Sequence, residues 1–203
     1  IDGSLVNIFS NSGQICIAGS RILVQRGISE RFIAAFVART QSLKVGNPLD
    51  PTVEVGPMAF KAHWQKVLDH IARAKSDGAT LLCGGEAPTD CSNGYFVTPT
   101  VFKVDHNQLP LCQEEVFGPV VSIQIFDEDE EAISLANDSR FGLVGYCWTN
   151  NIGRAQLFQQ RIEAGTLWIN TPLARDLRAP FGGFKESGIG RDGPRQAAEF
   201  FTE

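Results

Sequence analysis

"PVVSIQIF", Pro119 to Phe126, is apolar everywhere except Ser122 and Gln124, and it is bounded upstream by a Gly-Pro turn. A short, nearly continuous apolar run of this kind reads as a strand covered on both faces, the mark of a mainly parallel sheet between helices. The neighbouring segments agree. Upstream, "YFVTPTVF" (95–102) is extended, with Pro99 suggesting an edge position. Downstream, acidic "DEDEEAISLAN" (127–137) suits a helix whose first turn carries negative charge toward the positive end of its dipole.

The alternation continues in both directions. "RILVQ" (21–25) is a β-branched and aliphatic strand, after which Ser29 can cap a helix bearing Phe32, Ile33, Phe36 and Val37 on its inner face. A second helix is expected from about Ala59 to Lys75, stopping near Gly78, and "ATLLC" (79–83) follows as a strand. "LVGYCWT" (143–149), "IGRAQLFQQRIEA" (152–164) and "GTLWIN" (165–170) give strand, helix and strand. The opening "IDGSLVNIFS" reads as a helix with Leu5, Ile8 and Phe9 on one face. The expected fold is therefore α/β: an open, mostly parallel twisted sheet with helices on both faces, whose ligands gather at the carboxyl ends of the strands.

Bulk properties narrow the function. The 203 residues are 43% hydrophobic and 20% charged, ordinary for a soluble globular chain. A net charge of −5 argues against nucleic acid, which needs clustered cations. The longest apolar runs fall far short of the ~20 residues that span a bilayer, and no basic-then-apolar leader opens the chain. No membrane partner and no export are expected. Five cysteines (16, 83, 91, 112 and 147) form no CxxC pair, and only three histidines accompany them. Neither a disulfide framework nor a metal site is indicated, and a reducing cytoplasm fits.

Some stretches combine Gly or Pro with reactive, charged or aromatic residues. "NSGQICIAGSR" (11–21) sets Cys16 among small neighbours that let a substrate approach. Free cysteine is also among the most buried residue types, so the local residues alone favour an inert thiol. "QEEVFGPV" (113–120) offers one carboxylate, of Glu114 or Glu115, for ribose hydroxyls and Phe117 for a flat ring, against the plainer reading of a solvated acidic loop with a core phenylalanine. In "ARDLRAP" (174–180), Arg175 and Arg178 could form a carboxylate-binding fork, or simply pair with Asp176. "GIGRDG" (188–193) matches the dinucleotide G-x-G-x-x-G formally, but no strand leads into it, so it is rejected as a cofactor loop. His63 and His70 are seven residues apart, too far for an i, i+4 metal pair.

Taken together, "FSNSGQICIAGS", "QEEVFGPV" and "PFGGFKESGIGRDG" resemble, in order and spacing, three signatures of the aldehyde dehydrogenase superfamily, over essentially the whole chain. The resemblance implies Cys16 as the catalytic nucleophile, Glu115 at the nicotinamide ribose and Phe117 beside the nicotinamide. It places Asn170 near the active-site region and Phe181 along the aldehyde tunnel. It further implies NAD or NADP as cofactor, no metal, a small-molecule aldehyde substrate and a homo-oligomeric parent enzyme. Residues 1–203 then correspond to the catalytic (substrate) domain of a longer chain, without the dinucleotide-binding domain and without the Glu-Leu-Gly-Gly-type motif of the general base. Within the superfamily, "NTPLARDLRAPFGG" (170–183) is most similar to the dehydrogenases of hydroxymuconic semialdehyde and 5-carboxymethyl-2-hydroxymuconate semialdehyde, whose substrates carry carboxylates. Acylating or acyl-phosphate relatives, and a truncated module without turnover, are the competing readings.

Overall fold

The computed structural model describes residues 1–89 and 93–203, so Cys91 lies outside the described residues. It divides into two compact units, Ile1–Glu128 and Asp129–Glu203.

The first unit is built on a four-stranded sheet in the order β1-β4-β3-β2, with β1 Arg21–Gln25, β2 Thr80–Cys83, β3 Thr100–Lys103 and β4 Val120–Phe126. The ladders of β4 with β1 and with β3 are parallel, and β2 joins β3 antiparallel. Val120–Phe126 is thus an interior strand with both faces covered. Alternate side chains of a strand point to opposite faces. Val121 and Ile123, with Val101 of β3, pack with Leu5, Ile8 and Phe9 of α1 (Asp2–Phe9) and Phe36 of α2 (Arg26–Gln41). Val120 and Phe102 pack on the other face with Val67, Ile71 and Ala74 of α3 (Lys61–Ser76). Ser122 and Gln124, on the Val120 face, are buried as well, so the strand has no solvent-facing side and both faces are covered.

Two local expectations are corrected. β3 lies between β4 and β2, not at an edge, because Pro99 stands just before the strand and its missing N–H removes no ladder bond. Ser29 does not cap α2: the helix already starts at Arg26, and the buried Ser29 hydroxyl donates to the Arg26 carbonyl inside the first turn (2.9 Å). Gly78 does end the second helix region as expected, at φ +92°. A one-turn helix, α4 (Pro110–Gln113), precedes the Glu115 loop.

The second unit pairs β6 (Val144–Cys147) with β7 (Thr166–Ile169) in parallel through α6 (Ile152–Arg161), a right-sized βαβ crossover. Asn151 caps α6, its side chain accepting from the N–H groups of Gly153 and Arg154. The acidic first turn of α5 (Asp129–Asn137) also reaches across to α6, with Asp129 paired to Arg154 (2.8 Å) and Glu130 to Arg161 (3.0 Å). β5 (Phe141–Gly142) and β8 (Phe184–Lys185) form a short antiparallel ribbon, and α7 (Pro194–Phe201) closes the described chain. The stretch "GIGRDG" lies in turns, where Asp192 bridges to Phe181.

Candidate active site

The loop after α1 carries the cysteine. Asn11, Ser12 and Gly13 take consecutive left-handed conformations (φ +51°, +56° and +70°), which turns the chain sharply before Cys16. Asn and Gly are suited to that region; a serine is less so, and its hydroxyl is held by donating to the Gly56 carbonyl at 2.9 Å. Gln14 uses both ends of its amide on the same neighbouring segment. Its Nε2 donates to Pro57 O (3.2 Å), and its Oε1 accepts from Ala59 N (2.8 Å).

Cys16 is exposed at the tip of the turn that follows. Its backbone N–H makes no hydrogen bond among the described residues and is available to an incoming oxygen. The other described cysteines differ. Cys83 and Cys112 are buried and Cys147 is half-buried, and burial pushes all three thiols up from the ordinary value. Of the described thiols, Cys16 is the one a solvent-borne electrophile meets.

The second loop, between α4 and β4, holds Glu115 and Phe117. Phe117 is itself left-handed (φ +57°) and half-buried; Glu115 is exposed. The Glu115 carboxylate has no partner among the described residues, whereas that of Glu114 is bound by Arg73 (3.2 Å). A free carboxylate beside a partly exposed ring fits a nucleoside, since ribose hydroxyls donate to the one and a flat base packs on the other.

The two loops meet backbone to backbone. A Cβ built on Gly13 would lie 2.1 Å from Gly118 O, so only glycine allows the approach. This contact sets the Cys16 loop against the Glu115–Phe117 loop. His63, dismissed in the sequence for want of metal spacing, belongs here as well: its Nε2 lies 2.7 Å from Phe117 O, and its ring packs between those of Phe60 and Phe117. Nothing in the local sequence of α3 marks it, because its partner is a backbone oxygen of a distant loop. An open cleft on α3, lined by Lys66, Asp69, His70, Arg73 and Glu114, does not include Cys16. There, burial lowers the pKa of His70 despite the opposing charge of Glu114.

The remaining predicted residues lie in the second unit. Asn170 (φ +56°) spends its amide on the backbone of Thr149, accepting from Thr149 N at 2.8 Å and donating to Thr149 O at 2.7 Å. Arg178 is locked on Asp176 through two bonds (2.9 and 2.7 Å). Arg175 instead lays its guanidinium over the Phe181 ring, 4.8 Å from the centroid. The anticipated arginine fork therefore does not form: one arginine is paired and the other is stacked. Among the described residues, no three His, Cys, Asp or Glu side chains group as a metal site, and no helix is long and apolar enough to cross a membrane.

Fold and site together define an α/β chain with an accessible thiol on a glycine-built turn, set against an acidic and aromatic loop. The aldehyde dehydrogenase family model matches residues 1–203, and the chain belongs to that family. It is 42% identical to the betaine aldehyde dehydrogenase of Mesorhizobium japonicum, covering 100% of this chain and 42% of that protein. It is also similar to the crystal structure of HpcC from Thermus thermophilus (TM-score 0.96, 40% identity, 100% of this chain and 40% of that one). A third relative is the Staphylococcus aureus betaine aldehyde dehydrogenase solved with NAD+ (TM-score 0.95, 40% identity, 98% of this chain and 40% of that one). The chain thus spans about 42% of the length of the curated relatives it matches.

Proposed function

We propose that these residues form the thiol half of the active site of an NAD(P)-dependent aldehyde dehydrogenase, with Cys16 as its nucleophile. The observation that carries this reading is the exposed Cys16 with its unengaged N–H, held against the Glu115–Phe117 loop by the Gly13–Gly118 contact. The Cys16 Sγ adds to the aldehyde carbon as a thiolate, and the carbonyl oxygen becomes an oxyanion beside the Cys16 N–H. The bound nicotinamide supplies a hydride acceptor. Once hydride has left, the carbon is a thioester on Cys16, and water adds to release the acid and regenerate the thiol. Glu115 and Phe117 orient the cofactor's ribose and ring and do not themselves move protons.

The substrate reading is an aldehyde carrying a carboxylate. What supports it is the Arg175–Phe181 stack. A trimethylammonium group, as in betaine aldehyde, is recognised by open aromatic faces, but this face of Phe181 already holds a cation. A carboxylate would be drawn to that cation, and Arg178 is neutralised by Asp176. A cytoplasmic, homo-oligomeric parent goes with this reading.

Two variants of the full-length protein test the proposal by aldehyde-dependent NADH formation. Cys16→Ser should abolish turnover, and retained turnover would refute the nucleophile. Arg175→Ala should raise KM for acidic semialdehydes about tenfold while changing neutral aldehydes by less than about twofold. Equal effects on both classes would rule out the carboxylate reading.

A further inference from the structure

We infer that Gln14 is a positioning residue for Cys16, a two-ended clamp that sets the place of the thiol relative to the Phe117 loop. The inference rests on the reading of Cys16 as nucleophile. Gln14 stands two residues before Cys16 and just after the left-handed run Asn11–Gly13, where a chain has many ways to continue. Its Nε2 donates to Pro57 O and its Oε1 accepts from Ala59 N, so both halves of one amide are fixed to a segment 43 and 45 residues away. Ser12 adds a third bond to the same segment, at Gly56 O. That segment runs directly into α3, whose His63 meets the Phe117 carbonyl.

A closed chain of contacts results. The cysteine loop is tied through Gln14 to 57–59, then through α3 and His63 to Phe117, and back through Gly118 to Gly13. Among the described residues the Ala59 N–H has no other acceptor, so the glutamine side chain is its satisfaction as well as its tether. Both ends of the Gln14 amide are spent on protein backbone. Gln14 acts through the loop, by restricting where the thiol can stand when it attacks. A misplacement of about 1 Å at a reacting atom can cost on the order of a hundredfold in rate.

The test uses Gln14→Met, which keeps length and volume but makes neither bond, and Gln14→Glu, which can still accept from Ala59 N. In the 203-residue chain, amide exchange at Ala59 should accelerate about tenfold in Gln14→Met and stay near wild type in Gln14→Glu. In the full-length protein, Gln14→Met should lower kcat about 10- to 100-fold while Tm stays within about 3 °C of wild type and the Kd for NAD within about twofold. Unchanged kcat, or a loss of kcat that tracks losses of NAD affinity and Tm, would overturn the proposal. Cys16→Ser is measured in parallel. If it retains turnover, the nucleophile reading fails and the catalytic role of Gln14 with it, while Ala59 exchange still judges the clamp on its own.

Discussion

Gly13 and Gly118 lie so close that a Cβ on Gly13 would stand 2.1 Å from the Gly118 carbonyl oxygen, and Gly13 also holds φ at +70°. Gly13→Ala therefore combines a left-handed alanine with a clash against backbone, which cannot rotate aside. The expected cost is about 2–5 kcal/mol, read from urea unfolding of the chain. Gly27→Ala is the control. Gly27 sits in the first turn of α2 with nothing within 4 Å of a new Cβ, and alanine there should be neutral or stabilise by up to about 1 kcal/mol. Similar losses at both positions would show that the contact between the loops is not what makes Gly13 necessary.

Brief iodoacetamide treatment followed by peptide mass mapping should label Cys16 before Cys83, Cys112 and Cys147. The ground is access and ionisation together. Thiolate is the reactive form, and burial disfavours it at the other three positions. Cys83 and Cys112 should become reactive only under denaturant. Labelling of either ahead of Cys16 under native conditions would contradict the exposure on which the site rests.

What was legible of the fold in the sequence had local causes. β1 begins and ends at the expected residues, and β4 ends where expected and begins one residue late, after Pro119, because an apolar run flanked by polar or Gly-Pro residues has one way to be buried. Cys16, Glu115 and Phe117 have small or turn-forming neighbours, but locally these fit an inert thiol and a solvated acidic loop better; only the three motifs taken together imply roles for them. Gln14 and His63 were not legible, since each is defined by a backbone oxygen more than forty residues away. Ser29 and Pro99 were misread for a related reason: each has a strong local preference, but the register of the neighbouring element was already fixed by burial. The pairing of Arg178 with Asp176 was foreseeable as an alternative, while the stacking of Arg175 on Phe181 depends on how the intervening turn folds back.

Acid should expose the turn around Asp50. Its carboxylate accepts from the Thr52 hydroxyl (2.7 Å) and Thr52 N (2.8 Å), and these bonds, with a smaller contribution from Lys44, hold its pKa down at about 2, below the ordinary 3.8. A depressed carboxylate stabilises the fold above its unfolded value and loses that contribution as pH falls through the folded one. The window is therefore from about pH 4 down to about pH 2. Asp50→Asn should flatten the pH dependence of Tm within that window and leave it unchanged near neutrality. A slope that persists in the variant would assign acid sensitivity to other carboxylates, such as Asp127 beside Arg26.

Asn170 is expected to act as a brace between the ends of β6 and β7, because both ends of its amide are committed to Thr149. Asn170→Ala removes two hydrogen bonds and places alanine at φ +56°, a conformation asparagine tolerates better. The combined loss should be about 2–4 kcal/mol. Asn170→Gly relieves the backbone but restores neither bond, so it should recover only part of the loss, about 1–2 kcal/mol. In the full-length protein the same variants should lower Tm while leaving KM for the aldehyde within about twofold. A large rise in KM at unchanged Tm would instead make Asn170 a substrate ligand, and the bonds to Thr149 would then have to open when substrate binds.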